Sequence, residues 1–177
     1  LDQAEQELRN AGVDPGVLAS SRARVKLLDS QASLRAEIRN QPLSPQAWPR
    51  IALLLDELAE LEGGEPLAEA GKDGLRVLKA TAAAIRQNDF GAAWSELADA
   101  ERRLSPLGIE ELPVARAQVQ SLQEAWQAAR DAEIERLLAT AERYLSTAPL
   151  TPELLGQALA AYQEALRLDP GQAKAGA

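Results

Sequence analysis

Apolar residues along this chain recur at the spacing of a helix, and glycine and proline residues separate one apolar stretch from the next. In 17–39, for example, Val25, Leu28 and Ile38 fall broadly on one helical face. Strand-favouring residues are scarce, while alanine, leucine, glutamate and arginine favour helices. The pattern predicts an all-α chain of about seven helices. They lie at 1–10, 17–39, 45–61, 75–87, 90–104, 113–147 and from 152 onward.

The stretch 113–147 predicts one long helix, because it has no glycine and no proline after its first residue. Part of it carries small and apolar residues spaced four, three, four and three apart, as in a coiled coil. These residues are Ala115, Val119, Leu122, Trp126 and Ala129. Such spacing is typical of helices that pair with one another, so self-association through 113–147 is one predicted role of this helix.

Turn residues set the predicted boundaries of the domains. Ser44 before Pro45, and Thr151 before Pro152, are typical of helix starts. Residues 63–73 are rich in glycine and acids and predict a linker. The predicted organisation is a divergent helical hairpin region at 1–62, the linker, and helical repeats at 74–177. One continuous domain over 1–177 is the alternative.

Two segments carry a small, a large and a small residue spaced four and three positions apart. Ala158, Tyr162, Ala165 and Pro170 resemble the second helix of a tetratricopeptide repeat. A second set, with a tight turn before it, fits the same register: Phe90, Ala93, Leu97 and Ala100. The resemblance covers 74–106 and 134–170. It implies antiparallel helical hairpins stacked into an α-solenoid, since one repeat cannot bury its apolar face alone.

The resemblance also implies a binding surface on the first helix of each repeat, where such proteins hold peptides or partner proteins. Carried onto this chain, it gives the candidate contact residues Leu78, Ile85, Arg86, Glu135, Leu138 and Glu142. The alternative is that neighbouring helices cover most of them.

The three tryptophans have different predicted roles. Trp48, between Pro45 and Pro49, predicts a partly exposed contact anchor. Trp94 and Trp126 lie on apolar faces and predict packing.

Residue types absent from the chain limit its chemistry. With no His and no Cys, there is no imidazole base, thiol nucleophile, disulfide or usual zinc site. No glycine-rich phosphate loop follows a strand, and the carboxylates are predicted to face solvent. We therefore expect no enzyme activity, no metal and no cofactor. Because the chain also has no Met, we expect it to be part of a longer protein.

The net charge of −8 argues against nucleic acid as a partner. Between Asp56 and Asp73, seven acids stand against Lys72, so this segment alone carries −6. It is either an ordinary solvated segment or a patch that steers a basic partner. No apolar run is long enough for a membrane span. Arginine outnumbers lysine 15 to 4, which is typical of a GC-rich bacterial gene, with a periplasmic or cytoplasmic location left open.

These observations predict a non-catalytic module, part of a larger protein, that binds a protein or peptide. Two alternatives stay open. The chain could be a structural spacer or oligomerisation element, or a superhelical accessory domain of an enzyme whose catalytic domain lies elsewhere.

Overall fold

The computed structural model of the chain describes residues 6–7, 10–12 and 14–169, and the backbone alone of Pro15. The predicted short helix at 1–10 and Pro170 therefore lie largely or wholly outside the described residues. The described part is all-α, as predicted, with no strand. Its helices are α1 (Pro15–Asn40), α2 (Trp48–Ala59), α3 (Glu65–Arg86), α4 (Phe90–Leu104), α5 (Pro113–Ser146) and α6 (Pro152–Leu168), with a 3₁₀ turn at Ser105–Leu107.

The chain divides into two compact units, Leu1–Gln120 and Ser121–Ala177, and the division falls within α5. The predicted linker at 63–73 differs from what the structure has there, because α3 already begins at Glu65. Pro66 sits in the first turn, where its missing N–H costs nothing. Gly71, and Gly74 just after the segment, serve close packing, whereas Gly63 has a positive φ of 77° and a Cβ atom there would meet nothing within 4 Å.

Helix α3 lies at the centre of the first unit and packs against both α2 and α4. A Cβ atom at Gly71 would overlap Leu55 of α2, and one at Gly74 would lie 2.5 Å from Cγ of Leu104 in α4. Short turns join α3 to both neighbours, and in each pair the contacting residues lie at similar distances from the turn, so α3 runs antiparallel to both. The two glycines let the helix axes come close together.

Helix α4 buries the face that the repeat spacing singled out. Phe90, Ala93, Leu97 and Ala100 are all buried in the core of the first unit. Asp89 caps the helix, since its carboxylate accepts a hydrogen bond of 2.9 Å from the backbone N–H of Ala92.

The second unit contains the remainder of α5 and the whole of α6. Its core is small: Ile134 and Leu137 of α5 pack with Ala165 of α6, beside half-buried Leu138 and Leu168. Large apolar side chains stay exposed on both helices, namely Leu122, Trp126, Leu145, Leu155, Leu159 and Leu166. Trp126, predicted to pack, is 37% exposed, and the guanidinium of Arg130 lies 5.3 Å from the centre of its ring. Trp94, in contrast, packs against the first core.

Candidate functional site

An open groove of about 350 Å³ lies between α2 and α3 in the first unit. Leu55 and Leu75 are buried in the core beside it, so half-buried Ala52 supplies the apolar side chain that a partner can reach. Charged side chains of both helices complete the lining. We call this site the basic groove; it is lined by Ala52, Leu55, Asp56, Lys72, Leu75, Arg76 and Lys79.

The cations of the groove come from one face of α3. Lys72, Arg76 and Lys79 are spaced four and three residues apart, and Arg86 follows seven residues later. At about 100° per residue, all four side chains fall within about 40° of a common direction. All four are exposed. We call Lys72, Arg76, Lys79 and Arg86 the basic face of α3.

Acids neutralise only part of this face. Nζ of Lys72 lies 3.2 Å from a carboxylate oxygen of Asp56 and 3.6 Å from one of Glu69. The hydrogen bond to Asp56 raises the pKa of Lys72, so its ammonium is charged at neutral pH. Arg76 pairs with Asp73 at 3.2 Å.

The other two cations of the basic face are available to a partner. Within the described part of the chain, neither Lys79 nor Arg86 forms an ion pair. Of the three cations in the groove lining, Lys72 pairs with Asp56 and Glu69 and Arg76 pairs with Asp73, so Lys79 is the one that no described acid pairs with.

Trp48 lies beside the groove, at the start of α2. Nζ of Lys79 is 5.7 Å from the centre of its indole ring, within the range of a cation–π contact. The indole Nε1 donates a hydrogen bond of 3.4 Å to the backbone carbonyl of Pro42. The ring is half-buried against the core and keeps a solvent-facing part. A fixed and partly exposed indole can contact a partner at little cost in side-chain entropy.

The candidate contact residues of the first unit have unequal exposure. Leu78 is fully buried, so its proposed role in partner contact is corrected: its side chain is part of the core. Ile85 is half-buried against the same core. Arg86 is exposed and belongs to the basic face.

In the second unit, Glu135 and Glu142 of α5 are exposed, whereas Leu138 is half-buried and packs against the small core. Within the described part of the chain, neither acid forms an ion pair. Both remain candidate contact residues.

In the structure, nearby cations neutralise part of the negative charge of the acidic segment Asp56–Asp73. Lys72 pairs with two of its acids, as above, and Asp73 lies 3.4 Å from Arg103 of α4 as well as near Arg76. Glu57, Glu60, Glu62 and Glu65 stay exposed.

Sequence reasoning missed the basic face because the predicted linker separated Lys72 from the helix that carries Arg76 and Lys79. The 72, 76, 79, 86 spacing was the signal that could have found it.

The buried carboxylate of Glu101 accepts hydrogen bonds from residues at the start of α5. It accepts a hydrogen bond of 2.9 Å from the backbone N–H of Leu112, the residue before α5, and two more from the guanidinium of Arg116. The Arg116 guanidinium holds the pKa of Glu101 below its ordinary value, although desolvation opposes this effect. The pair fixes the start of α5 against α4.

Two further grooves lie along α1. One, of about 560 Å³, is lined by Ser20, Ala23, Arg24, Leu27, Leu28, Gln31, Glu62 and Gly63. The other, of about 480 Å³, surrounds the start of the helix and shares Ser20 and Arg24 with the first. Arg24 is the single cation in the lining of each, whereas the basic groove has three, so the basic groove is the stronger candidate for a charged partner.

Comparison with protein-family models, with curated proteins and with solved structures finds no match for this chain. Among the described residues, no group of acidic side chains is arranged to hold a metal ion. None of the helices described here has the length and apolar character that a membrane crossing requires. The grooves and surfaces of the described residues therefore provide the evidence on function.

Proposed function

We propose that this chain is a non-catalytic module that binds a segment of a partner protein, or a peptide, in the basic groove. One observation carries the proposal: an open groove is bordered by the half-buried indole of Trp48 and by Lys79, an exposed cation that pairs with no acid among the described residues. Apolar contact area supplies binding free energy, and charge at the rim supplies specificity.

The direction of the pKa shifts supports a role without catalysis. Among the described residues, each shifted carboxyl has a lowered pKa and each shifted cation has a raised pKa, mainly through a hydrogen bond to its ion-pair partner. General acids and bases need the opposite tuning, which brings the pKa toward neutrality.

A tetratricopeptide-like arrangement remains part of the proposal. It is supported by the antiparallel pair α3 and α4, whose small residues Ala93 and Ala100 are buried at the contact. It is also supported by burial of Ala158 and Ala165 in α6. In such an arrangement α3 is a first helix, and its basic face belongs to the surface that such repeats use for binding.

A second candidate function is self-association through the second unit, which would make the chain a spacer or oligomerisation element. The observation that favours it is the exposure of Leu122 and Trp126 on α5 and of Leu155, Leu159 and Leu166 on α6. Apolar side chains at this density often mark an interface. A mass that rises with concentration would support this function.

The experiment that tests the binding function selects peptides from a random display library on the immobilised chain. The peptides are then measured against Ala52→Gln, which fills the groove, and against Leu53→Gln as a matched control. Ala52 lines the groove and is half-buried, whereas its neighbour Leu53 is 53% exposed and outside the lining. We expect Ala52→Gln to lose binding and Leu53→Gln to keep it.

Circular dichroism checks that both variants remain helical. Selection of no peptide, or equal binding to Ala52→Gln and the wild type, contradicts the proposed function.

A further inference from the structure

We propose that the segment held in the basic groove is acidic and amphipathic, with carboxylates facing the basic face of α3 and apolar side chains entering the groove. This inference rests on the proposed binding function and goes further, because it names the chemistry of the partner.

The charge of the site selects an anionic partner. The basic face presents four exposed cations along one line, and two of them, Lys79 and Arg86, have no ion pair within the described residues. A carboxylate that approaches them gains attraction without first breaking an existing pair. This charge stands out in a chain of net charge −8, so it is a local feature and not a consequence of overall composition.

The lining of the groove requires apolar side chains as well. Half-buried Ala52, like buried Leu55 and Leu75 beside it, offers no hydrogen-bonding side chain, so a purely polar segment would lose hydration there without compensation. The indole of Trp48 adds an aromatic surface at the rim. Acidic and apolar residues must therefore alternate along the partner.

The length of the basic face sets the length of the segment. From Lys72 to Arg86 the helix rises about 21 Å, at about 1.5 Å per residue. A helical partner of about 14 residues, or an extended one of about six or seven, covers this distance.

Nucleic acid fits the site less well than an acidic peptide. Asp56 lies inside the groove, and Glu57, Glu60 and Glu69 are exposed nearby in sequence on the same two helices or the loop after α2. A continuous polyanion would be repelled by these acids, whereas a peptide can place its carboxylates only where cations face them.

The test uses three labelled probes: a peptide of about 14 residues built from Glu and Leu with helical amphipathic spacing, its counterpart with Lys for Glu, and oligothymidylate. Each is titrated by fluorescence anisotropy against the wild type and two double variants. Lys79→Glu with Arg86→Glu, the reversed variant, reverses the charge of the two cations of the basic face that have no ion pair within the described residues. Lys26→Glu with Arg39→Glu is the matched control, since both residues are exposed on α1 and Arg39, like Arg86, lies in the last turn of its helix.

We expect the Glu/Leu peptide to bind the wild type and the control variant, and to bind the reversed variant at least about tenfold more weakly. Its binding should also weaken as salt rises from about 0.1 M to about 1 M, which shortens the Debye length from about 10 Å to about 3 Å. Stronger binding of the Lys/Leu peptide or of oligothymidylate, or equal affinity for both double variants, overturns the inference.

The two proposals fail in different ways. If the display library gives groove-binding peptides of another composition while the Glu/Leu peptide does not bind, the acidic partner is wrong and the binding function stands. If neither source gives a peptide sensitive to Ala52→Gln, both are wrong.

Discussion

The two units of this protein differ in how much apolar surface they bury. The first unit encloses leucine and isoleucine side chains from four helices, and several, such as Ile51, Leu78 and Leu104, have no exposed surface. The second has a core of Ile134 and Leu137 with Ala165 and leaves many leucines at the surface. A groove that must hold its shape before binding requires the first kind of packing, and an apolar face that requires covering is typical of the second.

The largest expected difference in stability between matched variants of the two units comes from replacing Glu101. Replacing Glu101 with Ala leaves the backbone N–H of Leu112 and the guanidinium of Arg116 without their acceptor, so unfolding of the first unit should become easier by about 2–3 kcal/mol. The measurement is urea unfolding followed by circular dichroism.

The same variant predicts a pH dependence. The pKa of Glu101 is lower in the folded state than its ordinary value. Its contribution to the free energy of unfolding is therefore fully present above the ordinary pKa and is lost as pH falls through the folded-state pKa. Wild-type stability should therefore fall in acid by more than that of Glu101→Ala. Glu133→Ala is the control, since Glu133 forms only an exposed pair with Arg136 in the second unit and should change stability little. Parallel acid profiles for the wild type and Glu101→Ala would refute this role.

A smaller effect should have opposite signs in the two units. Gly74→Ala places a methyl group against Leu104 and should destabilise by about 1–2 kcal/mol, since overpacking outweighs the gain in helix propensity. Gly156→Ala in α6 meets nothing within 4 Å and should stabilise its helix by about 0.5–1 kcal/mol. Urea unfolding and helical content measure both. Stabilisation by Gly74→Ala would mean that α3 and α4 lie farther apart than described.

The helices could be predicted from the sequence where strong local signals exist. Thr151 accepts a hydrogen bond from the backbone N–H of Leu154, as its position before Pro152 predicted. The helix start predicted at Ser44 and Pro45 is wrong, since α2 begins at Trp48. The start of α3 could not be read in this way, because Gly71 and Gly74 look like linker residues until their contacts with Leu55 and Leu104 are known.

The candidate site was predicted only in part. Trp48 and Arg86 follow from sequence, and both belong to or border the surface that we propose for binding. Leu78 was misplaced, since helical spacing alone does not tell which side of α3 a neighbouring helix covers. Trp126 is more exposed than its apolar helical face predicted, since spacing does not tell how far a neighbouring helix covers that face.

Native-state hydrogen exchange tests the central claim, that the groove is built on a preformed scaffold whereas the second unit has little core of its own. Amides of Leu97 and Ala100 in α4 should exchange at least about 100-fold more slowly than those of Ala161 and Ala165 in α6, a difference of about 2.8 kcal/mol in opening free energy. Protection in α6 equal to that in α4 would contradict the account, because it would mean that both units open in one cooperative step.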